Sequence, residues 1–187
     1  MTDYLGLLIT VVLAIGSWLV TYFHSYSSKL YDAKLAHLDA QIKHLYGPVY
    51  ASLMSGAAVW EAFHRKYWPD RKTYFDGNQD AKDEELWRVW IQAVFLPIHK
   101  EVKKTIVANI DLFRGNEIPP VAIELLAHIH AYEAINLRWE RGDYSEHVYA
   151  TTFPVEALPH FKRELDALLT ERAALRRERR PRHPTSA

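Results

Sequence analysis

Residues 4–23, YLGLLITVVLAIGSWLVTYF, form twenty consecutive positions without a charged side chain. At about 1.5 Å per residue a helix of that length reaches about 30 Å, the hydrocarbon thickness of a bilayer. Within it Thr10, Ser17 and Thr21 carry hydroxyls that can bond back to helix carbonyls. The run therefore predicts a transmembrane helix. A cleaved secretory signal needs a basic leader, a shorter apolar core and a small-residue cleavage site. Here the leader is Met-Thr-Asp, and the run leaves through Trp18, Tyr22 and Phe23, which suit the headgroup boundary. No Lys or Arg precedes the run, whereas Lys29, Lys34 and Lys43 follow it. The positive-inside rule then predicts the N-terminus outside and the rest in the cytoplasm.

Behind the anchor, enough chain remains for one ordinary domain with its own core. The absence of cysteine excludes disulfides and thiolate metal sites. With 23 basic and 23 acidic residues the formal net charge is zero, which argues against a nucleic-acid partner.

After residue 23 the apolar pattern becomes periodic. Tyr31, Leu35, Leu38, Ile42, Leu45 and Val49 are spaced four and three residues apart and share one helix stripe. Extended backwards, the stripe passes through Ser28, His24, Thr21 and Ser17, so one helix can leave the membrane unbroken. Gly47-Pro48 should kink or end it, because proline lacks the N–H donor and crowds the preceding turn. A second helix is expected to about residue 67, then a loop over 68–80 containing Pro69, Gly77 and Asn78. Next comes a long helix over 82–113, bent at Pro97, with Leu86, Trp90, Val94, Ile98, Val102, Ile106, Ile110 and Phe113 on its apolar face. Pro119-Pro120 opens a helix that Gly142 closes near residue 141. Residues 144–159 read as an irregular connection, and a last helix runs from about 158 to 175. No stretch alternates as a strand. The expected class is all-α: an N-terminal transmembrane helix continuing into a kinked helix, followed by a cytoplasmic bundle of about four helices. The corresponding domains are an anchor at 1–23, a juxtamembrane helix at 24–47, a bundle at 48–175 and a disordered basic tail at 176–187.

The blocks LYGPVY at 45–50, VFLPIHKE at 94–101, NIDLFRGNEIP at 109–119, LAHIHAYEAINLRWERGDYS at 126–145 and FP at 153–154 resemble, in the same order, those of a family of bacterial membrane-anchored helical proteins. The resemblance implies one helical domain attached to its span, with no separable catalytic module. It brings no activity with it.

Ten histidines make metal binding worth weighing. Glu61 and His64 have the Glu-x-x-His spacing of di-iron bundles, but the second such pair is missing. His130 and Glu133 have the reverse order, and Glu124 with His128 is an i, i+4 pair; such pairs are ordinarily local electrostatic contacts. The expected reading is no metal and no cofactor. His128 falls on the stripe Val121, Leu125, Tyr132, Trp139, where burial requires its ring to bond a backbone carbonyl or a tyrosine; a sensor of pH or ligand is the functional alternative. Arg138 and Glu140, beside Trp139, read as a structural ion pair. No phosphate loop, nucleophile elbow or HExxH motif is present. The six tryptophans and eleven tyrosines are expected to fill the core and the membrane rim, with an aromatic ligand cage as the alternative.

Two interaction surfaces are legible. Gly6, Thr10, Ala14 and Ser17 lie on one stripe of the span, in phase with Leu35, Leu38 and Ile42, and small residues at that spacing let helices approach in lipid. This is the expected self-association face of a homo-oligomer, the alternative being that the lower seam packs on its own bundle. Arg176, Arg177, Arg179 and Arg180 complement the last helix dipole or meet anionic lipid headgroups. The functional expectation is a non-catalytic single-pass scaffold or sensor whose bundle binds a protein partner or itself. The alternatives are a membrane-perturbing effector, of a defence system for instance, activated by oligomerisation, and a His/Glu metal-dependent enzyme.

Overall fold

The structure, a computed structural model, describes residues 2–69, 80–145 and 151–179, with side chains described from residue 12 onward except at 116. It divides into two compact units, residues 1–39 and 40–187. All described elements are helical, as expected from the sequence.

The first unit is made of helix α1, Thr2–Ala40, up to residue 39. The Ser17 hydroxyl donates to the Ala14 carbonyl and the Thr21 hydroxyl to that of Ser17, both at 2.9 Å, so these polar groups are satisfied inside the helix. Trp18 stacks on Tyr22 with ring centroids 5.5 Å apart, and Tyr22 on Tyr26 at 6.4 Å, an i, i+4 aromatic ladder. Every side chain from 12 to 27 is exposed. Among the described residues no helix is long and apolar enough to cross a membrane. Of the uncharged run only residues 12–23 have described side chains. That length rises about 18 Å, against about 30 Å of hydrocarbon.

The second unit opens with a π-helical segment, Gln41–Tyr46, leading into α2, Gly47–Tyr67. The expected kink is thus a widened turn: Pro48 has no N–H, and the Gly47 N–H reaches back five residues to the Ile42 carbonyl. The same device recurs at the second mid-helix proline. Helix α3, Ala81–Trp90, passes through π segment Ile91–Phe95 into α4, Leu96–Ala108, and Leu96 N–H donates to Ile91 O just before Pro97. Asp80 caps α3, its carboxylate accepting from the amides of Lys82 and Asp83 at 2.9 and 2.8 Å.

Helix α4 stops at Ala108, short of the expected Phe113. The Asn109 backbone leaves the helix while its side-chain amide donates to Thr105 O at 2.9 Å. Phe113 is extended and buried. Helix α5, Pro120–Glu140, starts at the expected prolines and ends at Gly142, whose φ is +80°. Gly142 N–H donates to Trp139 O and Asp143 N–H to Arg138 O, the two bonds of a Schellman stop. Helix α6 spans Ala157–Glu178.

Helices α2, α4, α5 and α6 close a ring, α2 packing on α4 and α6 and α5 on the same two. Leu45, Val49, Ile91, Ile106, Leu125, Ile129, Phe161 and Leu168 are fully buried within it; each such side chain contributes about 1.5–3 kcal/mol. At one end, Tyr46 packs between Phe113 and Phe161 and its hydroxyl accepts from Arg114 N–H at 3.1 Å. At the other, Phe63, Trp68 and Trp87 join Tyr132, Ile135 and Trp139 in an aromatic cluster. The cavity lies along α2, between these layers.

Candidate functional site

A cavity of about 540 Å³ is walled by α2, by the bent α3–α4 helix, by α5 and by residues 151–158. The α2 wall is low because it presents Ser52, Gly56 and Ala57. Adding a Cβ to Gly56 would bring it no closer than 3.8 Å to another atom, Ile98 Cγ2. Trp60, Trp87 and Phe95 line the aromatic end. Trp60 has its ring 5.8 Å from Trp87 and 6.2 Å from Phe95.

Two buried histidines also line the cavity. His99 on α4 and His128 on α5 face each other with ring centroids 5.6 Å apart, and Tyr132 lies 4.8 Å from the first and 4.6 Å from the second. Phe153 stacks on His99 at 6.4 Å and meets His128 edge-on at 5.4 Å. His128 Nδ1 lies 3.1 Å from the Thr151 carbonyl, which can only accept, so Nδ1 carries the proton of that bond. This bond, with the Phe153 ring on His128, ties the start of the 151–158 wall to α5.

Both imidazoles are held neutral. His99 is 7% exposed, and burial, followed by the neighbouring His128, lowers its pKa to about 4. Burial also lowers that of His128, with the Thr151 bond opposing. His99 Nδ1 and Thr151 Oγ1 are buried without a hydrogen-bond partner among the described residues. A buried polar atom in that condition costs about 1–3 kcal/mol. No Lys, Arg, Asp or Glu is among the described residues lining the cavity.

The sequence-derived metal candidates are scattered. Glu61 is exposed and pairs with Arg65 at 3.1 Å, while His64 sits under the Trp60 ring at 5.9 Å. Glu124 is exposed and His128 buried, so that i, i+4 pair does not meet. His130 contacts Glu133 at 3.3 Å, and Glu133 takes Lys103 at 2.8 Å. No group of three ligating side chains able to hold a metal occurs among the described residues. Of these candidates only His128 belongs to the cavity, bonded to a backbone carbonyl as its place on the stripe requires.

Of the self-association stripe, the Gly6 and Thr10 side chains lie outside the described residues, and Ala14 and Ser17 are exposed. Leu35 is half-buried and Leu38 buried. Ile42 is half-buried in the π segment, which packs on α4 and α6, and Leu45 and Val49 beyond it are fully buried there. From Ile42 to Val49 the seam packs within its own bundle. Arg176, Arg177 and Arg179 are exposed at the end of α6, and Arg180 lies outside the described residues, as do 70–79 of the expected loop.

Arg138 pairs with Asp143 at 2.8 Å and not with Glu140, which accepts from Asn136 instead. The Ser145 amide and hydroxyl both donate to Asp143 Oδ1. The run 138–145 is therefore a knotted helix stop.

His99 has no counterpart in the sequence reading. Its signal is the spacing Trp87, Ile91, Phe95, His99, Val102, Ile106, all buried. No family model, curated protein or solved structure matches this chain.

Proposed function

We propose that this chain is a membrane-tethered, non-catalytic sensor whose bundle binds a small apolar molecule and signals through a protein partner or a second copy. The observation that carries the reading is the cavity. Its size, apolar walls and few convergent polar groups are those of a small-molecule site. Two histidines held neutral by burial suit recognition better than proton transfer near neutral pH.

Tethering rests on the uncharged run at 4–23 within the unbroken helix Thr2–Ala40. An apolar sleeve exposed from 12 to 27 needs cover, and lipid supplies it, with the Trp18–Tyr22–Tyr26 ladder at the headgroup level. The resemblance of the sequence blocks to membrane-anchored helical proteins agrees, and the lysines after the run put the bundle in the cytoplasm. A second reading, an effector activated when spans cluster, draws on the same sleeve, where Ala14 and Ser17 are exposed.

The test uses the full chain in lipid nanodiscs and naphthalene as an uncharged probe. Binding should quench the fluorescence of Trp60 and Trp87 beyond the empty-nanodisc background and raise the unfolding temperature. Absence of both effects up to the solubility of naphthalene would overturn the reading.

A further inference from the structure

We infer that the last two turns of α6, with Arg172, Arg176, Arg177 and Arg179, dock on the anionic headgroups of the bilayer that holds α1. This rests on the tether reading and adds a second, electrostatic contact to it.

Charge is the first observation. The chain as a whole is neutral, yet residues 172–182 hold six arginines against Glu178 alone. Earlier turns of α6 are balanced: Lys162 pairs with Asp166, and Glu164 and Glu171 each meet Arg114 at 3.5 Å. A helix dipole favours cations only within its last turn, so it accounts for Arg176 and Arg177 and not for the whole run. Leu168 is the last buried residue of α6, and Arg176, Arg177 and Arg179 are exposed beyond it. The core therefore gives no reason for the basic tip.

Place is the second observation. Helix α6 runs antiparallel to α2, since Leu158 lines the cavity with Leu53 and Gly56 while Phe161 packs on Tyr46. The Gln41 side-chain amide donates to Leu112 O at 2.9 Å, and Arg114, two residues on, reaches Glu171. Residue 41, the turn at 109–114 and the Glu171 level of α6 thus share one end of the bundle, the end at which the chain enters. From Glu171 the helix rises a further 10 Å or so, about two turns, to Glu178. Lys43 is exposed at this end too, with Asp111 and Glu117 as exposed charges of opposite sign, so the basic excess is that of α6. Each arginine brought to an anionic leaflet favours docking about fivefold, and salt screens the effect. A tethered bundle also meets its own bilayer at a high effective concentration.

The chain has no cysteine, so Ala174→Cys, exposed on the tip, takes a single fluorophore. The labelled full chain is placed in nanodiscs of phosphatidylcholine alone or with one third phosphatidylglycerol, both carrying the same headgroup-linked acceptor. Energy transfer at low salt should be at least about twofold greater with phosphatidylglycerol, and high salt should remove the difference. Arg176→Gln, Arg177→Gln and Arg179→Gln combined should remove it as well, with the unfolding temperature unchanged. Equal transfer in the two lipids at low salt would overturn the inference and leave the arginines to an acidic protein partner. A difference that survives the triple substitution would overturn it too, by assigning the attraction to other cations. Vesicle flotation of the unaltered chain in high salt tests the tether separately, which predicts flotation with phosphatidylcholine alone. Loss of that flotation, with low-salt binding to phosphatidylglycerol vesicles retained, would overturn the tether and leave the basic tip as a peripheral contact.

Discussion

The His99 and His128 rings stand 5.6 Å apart across the α4–α5 interface, and burial holds both below the ordinary histidine pKa. Their shared neutrality is a condition of the fold. With His99 at about 4 against 6.5 when unfolded, the unfolded chain takes up the proton first as pH falls. Stability is then unaffected above about 6.5 and drops on acidification from 6.5 towards 4, by up to about 1.4 kcal/mol per pH unit for this group. Thermal unfolding between pH 4 and 8 should show that slope, and His99→Phe should reduce it. An identical slope in the variant would assign the acid sensitivity to other groups.

Gly47 and Gly56 lie on the same helix and should respond to alanine in opposite ways. A Cβ on Gly47 would stand 2.5 Å from the Ile42 carbonyl oxygen, the acceptor of Gly47's own N–H in the π turn. The obstacle is backbone, so Gly47→Ala must move the turn and should cost about 1–3 kcal/mol. At Gly56 the nearest atom is Ile98 Cγ2 at 3.8 Å, an ordinary contact. Gly56→Ala should gain about 0.5–1 kcal/mol from helix propensity. Paired unfolding curves in nanodiscs check both signs.

The Arg138–Asp143 pair should act locally. Ser145, first through its side chain and then its amide, and Arg138 hold the Asp143 carboxyl at about 2. Asp143→Asn removes the charge that gathers all three groups, so amide hydrogen exchange at 141–145 should accelerate while the centre of α5 is unchanged. Acceleration along the whole of α5 would mean that the knot supports the bundle and not only its helix end.

The helical class, the two ends of α5 and the burial of His128 were legible because each rests on a local rule: proline at a helix start, glycine past its end, a strict apolar stripe. The face of the α3–α4 helix was not. A strict i, i+4 series drifts about 40° per step, so Leu86 to Phe113 could not stay on one side. The buried line is Trp87, Ile91, Phe95, His99, Val102, Ile106, and the π turn before Pro97 lies within it, while Trp90, Val94 and Ile98 are half-buried and Ile110 is exposed. That displacement is what hid His99 and with it the cavity. The Arg138 partner was missed for a similar reason: Asp143 reaches it only after the chain reverses at Gly142, a geometry no helical spacing encodes.

The cavity itself is tested most directly by filling it. Gly56→Leu carries a side chain into the space that Gly56 lines, and Gly56→Ala stops at the first carbon. Equilibrium dialysis of naphthalene against the full chain in nanodiscs should find one site in the unaltered protein and in Gly56→Ala, and at least tenfold weaker binding in Gly56→Leu, with all three proteins folded at the assay temperature. Equal binding by Gly56→Leu and the unaltered protein would place the probe elsewhere and contradict the account.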